Sequence, residues 1–326
     1  MKTNFLKLLI LLIAFSAVIT GVNAYPHSAS LLVFPLVGTS VQGGMSDTQI
    51  SVTNIGSENV IIRYTFFFYN SCQEYNADEK LTPKETFSFN ASKAIVSSRP
   101  AFLIVAPIYE NGTLRDYDYL IGQATLLGGA YNGMYNSWGF EKIKANETLD
   151  ENGIIIFGEN YVSAPKVLVE DNILSQQYTQ KLAIIPSENI LGEGYPSNNI
   201  FSFVNGNIKT RLLNYIWNDL EQYKSNSAEY TCGFYGELPT LVYSDLLQWA
   251  TSGQTNSGAG WLEILKDPNT VDSITAGPNI GGLKIVIDNN NGHYSVSNMH
   301  PFGTEKTKLQ ISSDPPAENA NVPGGN

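Results

Sequence analysis

The side chains able to do chemistry are few and scattered. The chain has three histidines, His27, His293 and His300, and two cysteines, Cys72 and Cys232. No H-E-x-x-H run presents paired histidines to zinc, no G-x-S-x-G turn raises a nucleophilic serine, and no glycine-rich phosphate loop is present. A Ser/His/Asp triad assembles in space, so spacing alone does not identify one. Cleavage after Ala24 would start the chain Tyr25-Pro26-His27, with a histidine in third place. A copper or nickel site there uses deprotonated amides, and Pro26 has no N–H to lose. Asp288-Asn289-Asn290-Asn291-Gly292 approaches a calcium loop, but the frame needs glycine where His293 stands, and no glutamate follows at the required distance. Asn and Gly tolerate positive φ, so this stretch reads as a hairpin turn. No metal, no cofactor and no catalytic residue is expected.

Binding character is concentrated in one run, Tyr131-Asn132-Gly133-Met134-Tyr135-Asn136-Ser137-Trp138-Gly139-Phe140. Rigid rings separated by small polar residues give contact area and adaptable hydrogen bonding, as in antibody loops, and such rings also stack on sugars. Tyr131, Tyr135, Trp138 and Phe140 are therefore candidate ligand-binding residues. The alternative is that Trp138 and Phe140 close the end of a core.

The elements that must position these residues repeat. At an offset of 151, Leu31-Leu32-Val33-Phe34-Pro35 falls on Leu182-Ala183-Ile184-Ile185-Pro186, Ser51-Val52-Thr53-Asn54 on Ser202-Phe203-Val204-Asn205, Tyr64 on Tyr215 and Phe66 on Trp217. Only seven of 40 positions are identical from 31 to 70, so the gapless match of apolar runs, prolines and Asn turns carries the repeat. Within the first unit, Leu31–Val37, Thr48–Thr53, Val60–Tyr69, Ala101–Ile108 and Tyr117–Leu126 read as strands, with Phe87 and Phe89 on one face of another. The second unit reads as strands at Leu182–Pro186, Ile200–Asn205, Leu212–Trp217, Pro239–Leu246, Trp261–Leu265 and Leu283–Ile287. Leu213, Ile216, Trp217 and Leu220 also fit a helix face, and the repeat favours a strand there. Leu246-Leu247-Gln248-Trp249 fits a short helical turn, and Ile154–Phe157 with Lys166–Val169 a hairpin.

The organisation expected is an export signal at 1–24, a first β-sandwich at 25–130, an insert at 131–180, a second β-sandwich at 181–311 and a disordered tail at 312–326. Lys2 and Lys7, the apolar run Leu8–Ile19 and Val22-Asn23-Ala24 make the signal. The protein is thus expected to be secreted, extracellular or periplasmic, with no membrane insertion once the signal is removed. Apolar residues at 43% suffice for real cores. A net charge of −11 repels phosphate backbones and anionic lipid, which argues against nucleic acid and membrane surfaces as partners. In an oxidising compartment Cys72 and Cys232 make one bridge; the alternative is two buried thiols. Asn90-Ala91-Ser92, Asn111-Gly112-Thr113 and Asn146-Glu147-Thr148 are N-glycosylation sequons.

The run Asp47-Thr48-Gln49-Ile50-Ser51-Val52-Thr53-Asn54-Ile55-Gly56-Ser57-Glu58-Asn59-Val60 resembles the opening of bacterial immunoglobulin-like modules: a threonine-rich strand, an Asn-x-Gly turn and a valine-rich strand. The first unit is also similar to exported bacterial proteins of unknown function that open on a Leu-Val-Phe-Pro strand. The resemblance spans residues 31–126 and, more faintly, 182–288; Asn205-Gly206-Asn207 replaces the turn in the second unit. Such modules share no active site, so no functional residue carries over. The expectation is an all-β protein of two tandem immunoglobulin-like antiparallel sandwiches. Its expected function is non-enzymatic binding of a protein or glycan at the cell surface, with self-assembly into an extracellular filament, or a hydrolase on a sandwich scaffold, as alternatives.

Overall fold

Alternation of apolar and polar residues, not helical period, dominates this chain, and the backbone follows it. The computed structural model describes residues 28–38, 46–69, 74–94, 99–128, 133–142, 154–157, 161–170, 173–174, 178–186, 209–218, 220–251, 261–266, 279–305 and 307–310. The strands of the first half are β1 (Leu31–Val37), β2 (Asp47–Asn54), β3 (Val60–Phe68), β4 (Glu74–Leu81), β5 (Thr86–Asn90), β6 (Ala101–Ile108), β7 (Leu120–Leu127), β8 (Gly133–Asn136) and β9 (Trp138–Phe140). Next come β10 (Ile154–Phe157), β11 (Ala164–Glu170), β12 (Tyr178–Pro186), β13 (Lys209–Trp217), β14 (Tyr223–Thr231) and β15 (Phe234–Glu237). The last are β16 (Trp261–Lys266), β17 (Asn279–Asp288), β18 (Tyr294–Asn298), β19 (His300–Glu305) and β20 (Thr307–Gln310). Among the described residues three short helices interrupt them: α1 (Ala91–Ala94), α2 (Leu238–Leu241) and α3 (Ser244–Thr251).

The all-β class expected from the sequence is found; two tandem immunoglobulin-like sandwiches are not. Four small antiparallel sheets are arranged as a four-bladed β-propeller. Blade I is β5-β2-β7-β8, blade II β4-β3-β6-β1-β9, blade III β15-β12-β17-β18 and blade IV β14-β13-β16-β11-β19, with β10-β20 as a separate ribbon. The blades are not sequential meanders, because each recruits strands out of chain order. Adding ten to the strand numbers of blades I and II yields blades III and IV. The repeat in strand order is therefore real, but the offset of 151 misaligns its start. It sets β1 on β12, whereas the topology matches β1 with β11 and β2 with β12.

The physical reason the tandem arrangement fails lies in β1. All seven of its residues are buried. Leu32 and Phe34 point toward β7, where a Cβ on Gly122 would come within 2.5 Å of the Phe34 ring. Val33 and Pro35 point the other way, 3.3–3.4 Å from a Cβ placed on Gly281 of β17. Blade II is therefore covered on both faces, by blades I and III. A strand with two covered faces reads as one continuous apolar run. On the blade I side, Tyr64 stacks on Phe89 at 5.1 Å; on the blade III side, Phe67 stacks on Phe102 at 5.0 Å and Tyr69 meets Tyr235 at 6.1 Å. One apolar core runs from Ala29 to Met299.

Other expectations shift for local reasons. Pro239–Leu246 holds α2 and the start of α3 instead of a strand: Pro239 sits in the first turn of α2, where its missing N–H costs nothing. β10 and β11 do not form a hairpin; β10 pairs with β20, and β11 lies between β16 and β19. Residues 209–217 are a strand, as the repeat favours, and Leu246–Trp249 lies in α3. The Asn54-Ile55-Gly56 turn forms: Asn54 Oδ1 accepts from Gly56 N at 2.9 Å and Tyr117 OH at 2.7 Å. A Cβ on Gly56 would strike that hydroxyl at 2.1 Å. The signal, the Ile200–Asn205 strand and the tail lie outside the described residues.

Candidate functional site

The aromatic run expected to bind ligand is turned inward. Tyr131 lies outside the described residues, while Tyr135, Trp138 and Phe140 are 4%, 0% and 1% exposed. The Tyr135 hydroxyl donates to the Leu36 carbonyl of β1. The Trp138 indole donates across the blade II–blade III junction to the Gly282 carbonyl at 3.2 Å. Phe140 meets Phe157 edge-on at 4.8 Å. These rings are packing groups with no face left for a ligand. Alternation explains it: β9 pairs with β1 so that Trp138 lies opposite Val33, on the face that blade III covers.

The remaining candidates disperse. His27 is outside the described residues, His293 is exposed beside the β17–β18 turn, and His300 opens β19. The calcium-like stretch is a hairpin turn: Asp288 carboxylate oxygens accept from Asn290 N at 2.9 Å and Asn291 Nδ2 at 2.8 Å, and Gly292 takes φ +71. Among the described residues no group of three His, Cys, Asp or Glu side chains could hold a metal ion. Cys232 is disulfide-bonded; Cys72 lies outside the described residues. Cys232 falls between β14 and β15, so it does not occupy the place in its half that Cys72, after β3, occupies in the first.

Two surface features stand out. The first is a cleft of about 170 Å³ on blade II, bordered by Val60, Lys80, Tyr109, Glu110 and Arg115. It is smaller than the roughly 300–1,000 Å³ of ordinary small-molecule sites. Arg115 is already engaged: it donates to Glu58 at 2.6 Å and to the Asn59 carbonyl at 2.8 Å and lies over the Tyr117 ring.

The second is an aromatic ridge on the outer face of blade IV. In β13, Leu212, Asn214 and Ile216 are buried, so Tyr215 and Trp217 point outward. Trp217 lies opposite Tyr223 of β14 on one side and opposite Trp261 of β16 on the other. The indoles of Trp217 and Trp261 are parallel within 4° at 5.0 Å, and the Tyr223 ring lies 4.9 Å from Trp217, tilted by 38°. Tyr215 meets Tyr223 edge-on at 5.7 Å. Tyr223 is 57% exposed. The next register row carries Ser225, Tyr215 and Glu263, which sets a hydroxyl and a carboxylate beside the rings. Further along this face, Phe302 of β19 is 68% exposed. The ridge was missed in the sequence because Tyr215 and Trp217 look like core mates of Tyr64 and Phe66. The available signal was their parity: they alternate with Leu212, Asn214 and Ile216.

The chain matches no family model and none of the curated proteins. Among solved structures, that of Thermotoga maritima 1070 aligns with 34% of this chain and 95% of its own, at 15% identity and a TM-score of 0.27, a likeness that assigns neither fold nor function.

Proposed function

We propose that this chain is an exported, non-enzymatic binding protein of the cell envelope that holds a neutral glycan against the ridge formed by Tyr223, Trp217 and Trp261. The observation that carries the reading is a row of three adjacent rings on one face of blade IV, with Tyr223 exposed and the stacked Trp217 and Trp261 half-buried, flanked by Tyr215, Ser225 and Glu263. Rings give apolar area at low entropic cost, and the neighbouring hydroxyl and carboxylate supply partners for sugar hydroxyls. The net charge of −11 favours an uncharged ligand over a polyanion. Export draws support from the signal pattern at 1–24 and from the bonded state of Cys232, since disulfides persist in oxidising compartments. In this reading Cys232 pairs with Cys72, the other cysteine of the chain.

The test is affinity electrophoresis and titration against a panel of neutral polysaccharides, with wild type beside Tyr223→Ala. Removing an exposed aromatic anchor costs about 2 kcal/mol of binding, so affinity is expected to fall about 30-fold while the variant stays folded at the assay temperature. Binding that survives both Tyr223→Ala and Trp261→Ala would displace the ridge from the site. A second reading, a subunit of an extracellular filament, rests on β14. This nine-residue strand pairs with β13 on one side and, among the described residues, with nothing on the other. Such an edge can accept a strand from another chain, although exposed Lys224 and Glu229 discourage it. Size-exclusion over a hundredfold concentration range, with a single monomer peak throughout, would remove that reading.

A further inference from the structure

Of the three N-glycosylation sequons, the fold singles out one, and we propose that Asn111 carries an N-linked glycan. The inference shares with the proposed function the premise that the chain is exported, but it does not involve the ridge. Asn111 stands exposed at the tip of the turn that joins Ile108 to Leu114. Tyr109 N donates to the Thr113 carbonyl at 2.8 Å and Gly112 N to the Tyr109 carbonyl at 2.9 Å, closing the turn. Gly112 takes φ +84, so the middle residue of the sequon is one that this turn geometry favours. The three sequon residues are already arranged as an acceptor. Asn111 Oδ1 accepts from Thr113 N at 3.1 Å and from Thr113 Oγ1 at 2.7 Å. Both bonds fall on the oxygen of an exposed residue, and Nδ2 makes no hydrogen bond among the described residues. Donation to Oδ1 draws electron density from the carboxamide and eases loss of an Nδ2 proton.

The other two sequons differ. Asn90 is the half-buried last residue of β5, paired with Gln49. Its Ser92 is committed to Asp47, with Oγ donating at 2.6 Å and N at 3.0 Å, so that hydroxyl does not serve Asn90. Asn146 lies outside the described residues. The donor is an oligosaccharide linked through pyrophosphate to a polyprenyl lipid. Asn111 Nδ2 forms a bond to C1 of the first sugar, and the C1–O bond to pyrophosphate breaks. The lipid pyrophosphate leaves with the electron pair, and the Nδ2 proton passes to a carboxylate of the transferase.

The experiment is peptide mass spectrometry of the chain recovered from the envelope and medium of its source cells, compared with Thr113→Ala and Thr113→Ser variants expressed in the same cells. The peptide containing Asn111 is expected to carry a saccharide mass that vanishes in Thr113→Ala and returns in Thr113→Ser, while the Asn90 peptide stays bare. An exported chain with a bare Asn111, or with sugar on Asn90 instead, overturns this proposal alone. A bare chain retained in the cytoplasm overturns the export premise along with it.

Discussion

Buried tyrosines give this protein a chemical vulnerability that its scarce histidines do not. Burial is the main reason the phenols of Tyr64, Tyr69, Tyr135 and Tyr235 stay protonated well above the ordinary range. Glu79 adds to the effect at Tyr64 and Glu237 at Tyr235, and burial pushes Tyr230 up to about 12. An unfolded chain releases phenolic protons at about pH 10. Between there and the folded values the native state binds more protons, so stability is complete below about pH 10 and is lost as pH rises. Each of the four deeply buried phenols, Tyr64, Tyr69, Tyr135 and Tyr235, contributes a slope of at most about −1.4 kcal/mol per pH unit. Urea unfolding followed from pH 9 to 12 should show a steep fall. Tyr235→Phe should flatten it by one phenol's share while also removing a buried hydroxyl that has no hydrogen-bond partner among the described residues. An unchanged slope in that variant would contradict the assignment. The residue scale is also where sequence reasoning misplaced the binding groups. Trp138 sits among Asn, Ser and Gly like a contact residue, yet its indole bonds Gly282, which belongs to the other half of the chain, more than a hundred residues away. No local pattern encodes a partner at that separation.

At the scale of strands, what was legible depended on how many faces each strand covers. In β2, Ile50 and Val52 are buried while Gln49 is exposed and Ser51 and Thr53 are half-buried; such alternation can be read without a structure. In β1 and β6 every residue is buried, and a continuous apolar run does not say what lies on either side. The placement of blade II between its neighbours therefore stayed hidden, and the repeat was read as two separate bodies. A lysine scan tests the difference. Leu32→Lys and Val33→Lys face opposite ways in β1 and should each cost about 4 kcal/mol or more, since either buries an unpaired charge. In β2 the faces should separate: Val52→Lys severe, Ser51→Lys about 1 kcal/mol or less, because Ser51 loses only its exposed hydroxyl pair with Ser88 at 2.8 Å. Chemical denaturation of the four variants reads the pattern directly. Tolerance of Val33→Lys would mean that blade III does not cover β1.

At the scale of the whole molecule, the two halves repeat in strand order but are not independent in energy. Val33, Pro35, Phe67 and Phe102 turn one face of blade II toward blade III, and Trp138 ties the same junction through Gly282. Separating the halves would bare that face to water, so neither half has a complete core of its own. Beside the junction, a Cβ placed on Gly233 would lie 2.7 Å from the Ile184 carbonyl and 2.9 Å from the Tyr69 ring. Cys232 is thus held close to Tyr69, the residue after β3 and three before Cys72 in the sequence. The Cys72–Cys232 bond proposed above closes a loop of roughly 160 residues, worth about 5 kcal/mol in the chain-entropy model. Calorimetry of the intact protein should therefore show one unfolding transition. Reduction should move that transition to lower temperature without splitting it, because the apolar junction still couples the halves when the bond is open. A pair of well-separated transitions in the reduced protein would show that the bond alone unites them. Two transitions in the oxidised protein would restore the picture of independent modules.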